Sequence, residues 1–136
     1  MKTKKPRLAH SPIEYLLLVL PEYDDSNEKE TLFVGIRTVK EFSNFQYELI
    51  VTDTLEKDTL TLNIQGLRAP KTNVPTIGFA RFTKVYEQPT AIKNIIVHKM
   101  EKRENAFAVR FAKQKIQVKS RTGDPFIDIV SRKEDW

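Results

Sequence analysis

Apolar and polar residues alternate with a period of two through most of the chain, the spacing that sends successive side chains to opposite faces of a strand. Tyr47, Leu49 and Val51 alternate with Glu48, Ile50 and Thr52, and Leu60, Leu62 and Ile64 alternate with Thr61, Asn63 and Gln65, the second run closing at Gly66. Residues 32–39, 77–86, 92–100, 106–111, 116–118 and 126–130 are rich in β-branched and aromatic side chains and are bounded by Pro, Gly, Asn or charged clusters. These eight segments are closely spaced, with no intervening helical pattern. They predict an all-β domain: an antiparallel, Greek-key-like β-sandwich of seven to nine strands, with a β-barrel as the alternative.

Residues 11–20 read in two ways. Ser11, Pro12 and Glu14 match the N-cap, first-turn proline and capping-box glutamate of one short N-terminal helix, with Pro21 as its stop. The run from Tyr15 to Leu20 has no polar face, which equally describes a strand buried on both sides. Both readings place it in the core. Residues 22–30 and 67–76 carry polar clusters or prolines and read as loops, and Glu56 and Asp58 flank an expected hairpin turn. Gly35 and Gly78, inside strands, predict bulges or close backbone approach, and Gly66 and Gly123 predict turns. Phe107, Val109 and Phe111 hold odd positions whereas Ile116 and Val118 hold even ones, so a bulge or tight turn must intervene at residues 112–115. The absence of Gly and Pro there favours the bulge.

Length and composition narrow the class. The 136 residues suit one domain, residues 11–136, preceded by a flexible basic arm at 1–10 that holds Lys2, Lys4, Lys5 and Arg7. A chain of this size buries roughly two-thirds of its unfolded surface and needs no metal or disulfide to fold. With no Cys, thiolate enzymes, cysteine-ligated zinc sites and disulfide scaffolds are excluded. No apolar run approaches the ~20 residues of a membrane helix, and the first is shorter than the ~7 to 15 of a secretory core, so a cytoplasmic location and no membrane partner are expected.

Candidate chemistry is sparse. His10 sits in the arm and His98 on a predicted strand, where a packed or half-exposed structural histidine is expected. There is no nucleophile elbow, no Walker loop and no dinucleotide glycine pattern. Asp24, Asp25, Asn27, Glu28 and Glu30 are suitable calcium ligands, but Lys29 and Ile36 fall at the fifth and twelfth positions of the corresponding loop. No catalytic residue, metal site or cofactor is expected.

Charge supplies the one positive signal. Residues 67–121 hold thirteen basic and three acidic side chains, and Lys99, Lys102, Arg103, Arg110, Lys113, Lys115, Lys119 and Arg121 crowd a segment whose only acids are Glu101 and Glu104. The parity of Phe107, Val109 and Phe111 turns them inward and Arg110 outward, so the aromatics serve as core and the cations as a ribbon. The reading that follows is a non-enzymatic binding or interaction module, its partner another protein or a second copy of itself. One alternative is a nucleic-acid or polyanion binder using the 99–121 ribbon; another is a small hydrolase or lipocalin-like carrier with an unrecognised pocket.

Overall fold

The computed structural model describes residues 13–43, 46–69, 77–87, 91–100, 102–112 and 115–136. The segments with period-two alternation become strands, because each can bury one face and solvate the other. The strands are β1 (Tyr15–Asp24), β2 (Lys29–Phe42), β3 (Glu48–Glu56), β4 (Thr59–Arg68), β5 (Gly78–Glu87), β6 (Asn94–Lys99), β7 (Arg103–Ala112), β8 (Lys115–Thr122) and β9 (Ile127–Val130). A 3₁₀ turn at Lys133–Asp135 follows. No α-helix occurs among the described residues, and so none long and apolar enough to cross a membrane.

The all-β class is as expected, but the architecture differs from an antiparallel sandwich. The nine strands make one hydrogen-bonded sheet, in the order β8-β7-β6-β4-β3-β5-β2-β1-β9, curled into a half-barrel. It is mixed: β4 pairs with β6 and β1 with β9 in parallel, and β3 meets β5 through the single parallel pairing of Glu48 with Arg81. Alternation fixes which face of each strand is buried, not which strand lies beside it, so a sandwich and a curled sheet share one sequence pattern. Leu17, Val19, Leu32, Val34, Leu60, Leu62, Ile95 and Phe107 are among the inner residues that meet in one apolar core.

The helix reading of residues 11–20 is also corrected. β1 pairs with β2 along its whole length and with β9 over Tyr15–Leu18. Tyr15, Leu17 and Val19 enter the core, while Leu18 is buried though it belongs to the other face. A side chain covered on each face satisfies a run that has no polar stripe for a helix to expose. Pro21 does not end the strand. It lies beyond the last pairing with β9, where β1 has one neighbour and an edge tolerates a missing N–H.

The expected loop at residues 22–30 contracts to a tight connection, in which the Asp24 carboxylate accepts hydrogen bonds from the backbone N–H of Ser26 (3.0 Å) and Asn27 (3.4 Å). The β3–β4 hairpin turns at Lys57 and Asp58, as the sequence indicates. Near residues 112–115 the chain reverses instead of bulging, since Ala112 pairs with Lys115. That reversal already accounts for the change of parity, since Phe111 pairs with Ile116 and Val109 with Val118; farther along β8 a bulge leaves Lys119 as an extra residue and shifts the register, so that Ala108 pairs with Ser120. Gly66 sits beside a bulge of the β3–β4 ladder, not in a turn. Of the second expected loop, residues 70–76 lie outside the described residues, and Leu67 and Arg68 belong to β4.

Two local devices hold the sheet where strands part or lie uncovered. On the outer face of β1 and β2, Trp136 packs on Gly35, where an added Cβ would stand 2.8 Å from its Cζ2. The indole N–H donates to the Leu16 carbonyl (3.0 Å), Arg37 Nε donates to the Trp136 backbone oxygen (2.6 Å), and Phe33 meets the indole edge-on. Burial, with the charge of Arg81 added, pushes the Arg37 guanidinium pKa down. Between β3 and β5, the Asp53 carboxylate accepts from Lys84 Nζ and Tyr86 Oη, both at 2.8 Å. Burial, then the bond to Asp53 and its negative charge, push the Tyr86 phenol up. Burial opposes ionisation of Asp53, but the two donors and the charge of Lys84 outweigh it and hold its pKa below the ordinary value.

Replacing Gly35 by Val is expected to cost about 1–3 kcal/mol, because the new side chain and the indole compete for one space. Urea unfolding followed by the emission of the single tryptophan measures this, and an unchanged midpoint and spectrum would refute the packing. Tyr86→Phe is expected to lose ~1 kcal/mol. The stabilisation by Asp53 is fully present above the unfolded carboxylate pKa of ~3.9 and is lost as pH falls through the depressed folded value. The stability gap between the wild type and Asp53→Asn therefore closes below about pH 4, which acid-dependent urea titrations detect.

Candidate functional site

The basic segment maps to the end of β6, the β6–β7 turn and the β7–β8 hairpin, and there its cations divide. Lys99 and Arg103 both reach the Glu14 carboxylate, the arginine at 3.4 Å and also over the Phe126 ring. Arg121 pairs with Asp128 at 2.9 Å and lies over the Phe107 ring. These three tie strand ends together: Glu14 precedes β1, and Asp128 belongs to β9. Such part-exposed pairs each contribute about 0–1 kcal/mol, and their charge is locally neutralised.

Lys102, Arg110, Lys115 and Lys119 are different. Each is exposed, and none has a carboxylate within ion-pair distance among the described residues. Lys113 lies outside the described residues. Arg110 stands opposite Gln117 on the outer face of the sheet, away from the buried Val109 and Phe107. The bulge at Lys119 brings that lysine to the same depression.

This depression, of about 400 Å³, is lined by Ile92, Lys93, Asn94, Ala108, Val109, Arg110, Phe111 and Lys119. Ala108, paired with Asn94, contributes only a methyl group to its lining, and Ile92 and Val109 belong to the core. Lys93 is exposed at the start of β6 and also lacks a carboxylate partner among the described residues. It is one of the thirteen basic residues of 67–121 but lies outside the dense 99–121 segment; the pairing of β6 with β7 brings it in. Neighbouring strands lie ~4.8 Å apart and alternate residues about 7 Å apart, so the three cations spring from backbone positions separated by roughly one Debye length at physiological salt. Their fields add over a cavity that no acid lines among the described residues.

Two other places were candidates for chemistry. His98 is half-buried on β6, its Nε2 3.6 Å from Glu104, in the structural setting expected of it. Among the described residues no group of three or more His, Cys, Asp or Glu side chains could hold a metal ion. A second cavity, of about 370 Å³, is lined by Ile13, Tyr15, Val39, Phe42 and Leu67, with Glu14, Thr38 and Lys40 as its polar members. Glu14 is already engaged by Lys99 and Arg103. The basic depression thus has uncommitted charge and concave shape together. No protein-family model, no curated protein and no solved structure matches the chain.

Proposed function

We propose that the chain is a non-enzymatic binding module that engages an anionic partner through the outer face of β6, β7 and β8. The observation that carries this reading is the grouping of Lys93, Arg110 and Lys119 around one 400 Å³ depression with no acid among the described residues of its lining. Lys115 extends the same positive field along β8. A polyanion meeting this face releases counterions, which supplies affinity without base- or sequence-specific contacts. The ion-paired Lys99, Arg103 and Arg121 contribute little to it, so the working set is smaller than the basic segment and includes one residue from outside it.

The test is retention on heparin and on single-stranded DNA as a function of salt. With four contacts the binding constant is expected to fall about a hundredfold between ~50 and ~200 mM salt, a slope of roughly −0.7 to −0.9 per contact. Arg110→Glu with Lys119→Glu should abolish retention. An equal reversal far from the depression, Lys29→Glu with Arg68→Glu, should leave most of it, and changing Lys2, Lys4, Lys5 and Arg7 to Gln in the full chain separates the amino-terminal arm. Circular dichroism should be unchanged, since surface substitutions typically shift stability by only about ±0.5 kcal/mol. No retention of the wild type at ~50 mM salt, or equal loss in both reversals, would reduce the face to a solubilising surface.

A further inference from the structure

Charge is only one part of the lining of the basic depression. Lys93, Arg110 and Lys119 are exposed and have no carboxylate partner among the described residues. A second part is apolar: Ile92 and Val109 are buried, whereas Ala108 and Phe111 keep some exposed surface. Phe111 differs from the aromatic residues nearby. Arg121 lies over the Phe107 ring and Arg103 over the Phe126 ring, but among the described residues no cation or ring sits over Phe111. The third part is the side-chain amide of Asn94. It is partly exposed and has no hydrogen-bond partner among the described residues, although the backbone N–H of the same residue donates to the Asp58 carbonyl at 3.1 Å.

Free cations, a bare ring and an uncommitted amide together suit a flat group with apolar faces and a hydrogen-bonding edge, flanked by anions. A nucleotide within a single strand has all of these in one unit. We propose that the depression seats one base of a single-stranded nucleic acid, its face on Phe111, its edge on the Asn94 amide and its flanking phosphates at Lys93, Arg110 and Lys119. The inference rests on the basic face being a binding surface and names its ligand. The volume of about 400 Å³ lies within the ~300–1,000 Å³ of small-ligand sites and has room for a nucleoside. An amide presents a donor and an acceptor side by side, the pattern by which Asn pairs with an adenine edge. Counterion release at the cations supplies most of the affinity, and the seated base adds to it.

Other anions use less of the lining. A sulfated polysaccharide meets the cations but brings no flat apolar group. Duplex DNA keeps its bases stacked, so only its phosphates reach the face. An acidic peptide carries its charges on side chains other than the one that would fill the depression, and needs several residues in register to match one nucleotide.

The experiment measures binding of the full chain, at ~50 mM salt, to fluorescent DNA strands of about ten nucleotides, one of deoxyadenosine and one with the same backbone and no bases. Heparin and a peptide alternating Glu and Phe are the comparison probes. The wild type is expected to bind the adenine strand about tenfold more tightly than the abasic strand of equal charge. Ala108→Leu, which fills the depression and leaves its cations in place, should erase that difference without changing heparin retention or abasic binding. Asn94→Ala should weaken binding of the adenine strand alone. Equal affinity of the wild type for the two strands overturns base docking, whatever any variant does to the fold. A preference that survives Ala108→Leu overturns its placement in the depression, and tighter binding of the peptide than of the adenine strand overturns nucleic acid as the occupant. In each of these cases heparin retention leaves the basic-face reading standing. Failure of every anionic probe overturns both together.

Discussion

Among the described residues no second layer covers the apolar face of this sheet, and that constraint shapes the molecule. Each buried Leu or Ile is worth ~1.5–3 kcal/mol only when water is removed from both sides of the contact. With no α-helix among the described residues, the sheet supplies its own cover by curling until its inner face meets itself. The ladder is thinnest between β3 and β5, which share a single pairing, and is absent between β8 and β9, the two borders of the sheet. Polar side chains bridge those places. Asp53 joins Lys84 and Tyr86 across the first. At the second, the buried Asn105 amide donates to the carbonyls of Glu104 and Asp124 and accepts from the N–H groups of Phe126 and Ile127, which fixes the connection into β9. In the same turn Gly123 has φ of +93°, and a Cβ there would stand 2.2 Å from the Glu104 carbonyl oxygen, so backbone and side chain specify one arrangement.

The strands were legible because alternation is a local property: Leu60, Leu62 and Ile64 point inward whatever lies next to β4. Their neighbours were not legible. The pairing of β4 with β6, or of β1 with β9, depends on which edges are free when the sheet curls, and no single segment encodes that. Tyr15 to Leu20 announced burial on two sides without saying that Trp136, far along the chain, supplies part of the second. The reversal that pairs Ala112 with Lys115 was the less favoured of the two readings because the sequence there lacks the Gly or Asn that usually marks a tight turn.

The candidate site was legible in sign and approximate place, but not in membership. A run of charge cannot show which cations are consumed by acids brought from elsewhere, as Glu14 consumes Lys99 and Arg103 and Asp128 consumes Arg121. It also cannot show that a single extra residue re-aims Lys119, or that strand pairing recruits Lys93. Among the described residues Arg110 on β7, Lys119 in the bulge of β8, and Lys93, Lys102 and Lys115 at strand ends or in a turn have no acid partner, whereas Lys99, Arg103 and Arg121 do. Which acids the fold brings within reach, more than local density of charge, decided which cations remain available.

The parallel pairing of β1 with β9 joins Tyr15 to Ile127, across most of the chain. Contacts so distant in sequence form only after a large loop has closed, and domains dominated by them fold slowly, in milliseconds to seconds. During synthesis β1 acquires its antiparallel neighbour β2 almost at once through a short hairpin, yet its other edge stays bare until the last strand has been made. For that interval the most apolar segment of the protein is an open template for another chain. Pro21 and the acidic tip beyond it interrupt that template at one end, so that on the nascent chain these residues act as gatekeepers against misassembly.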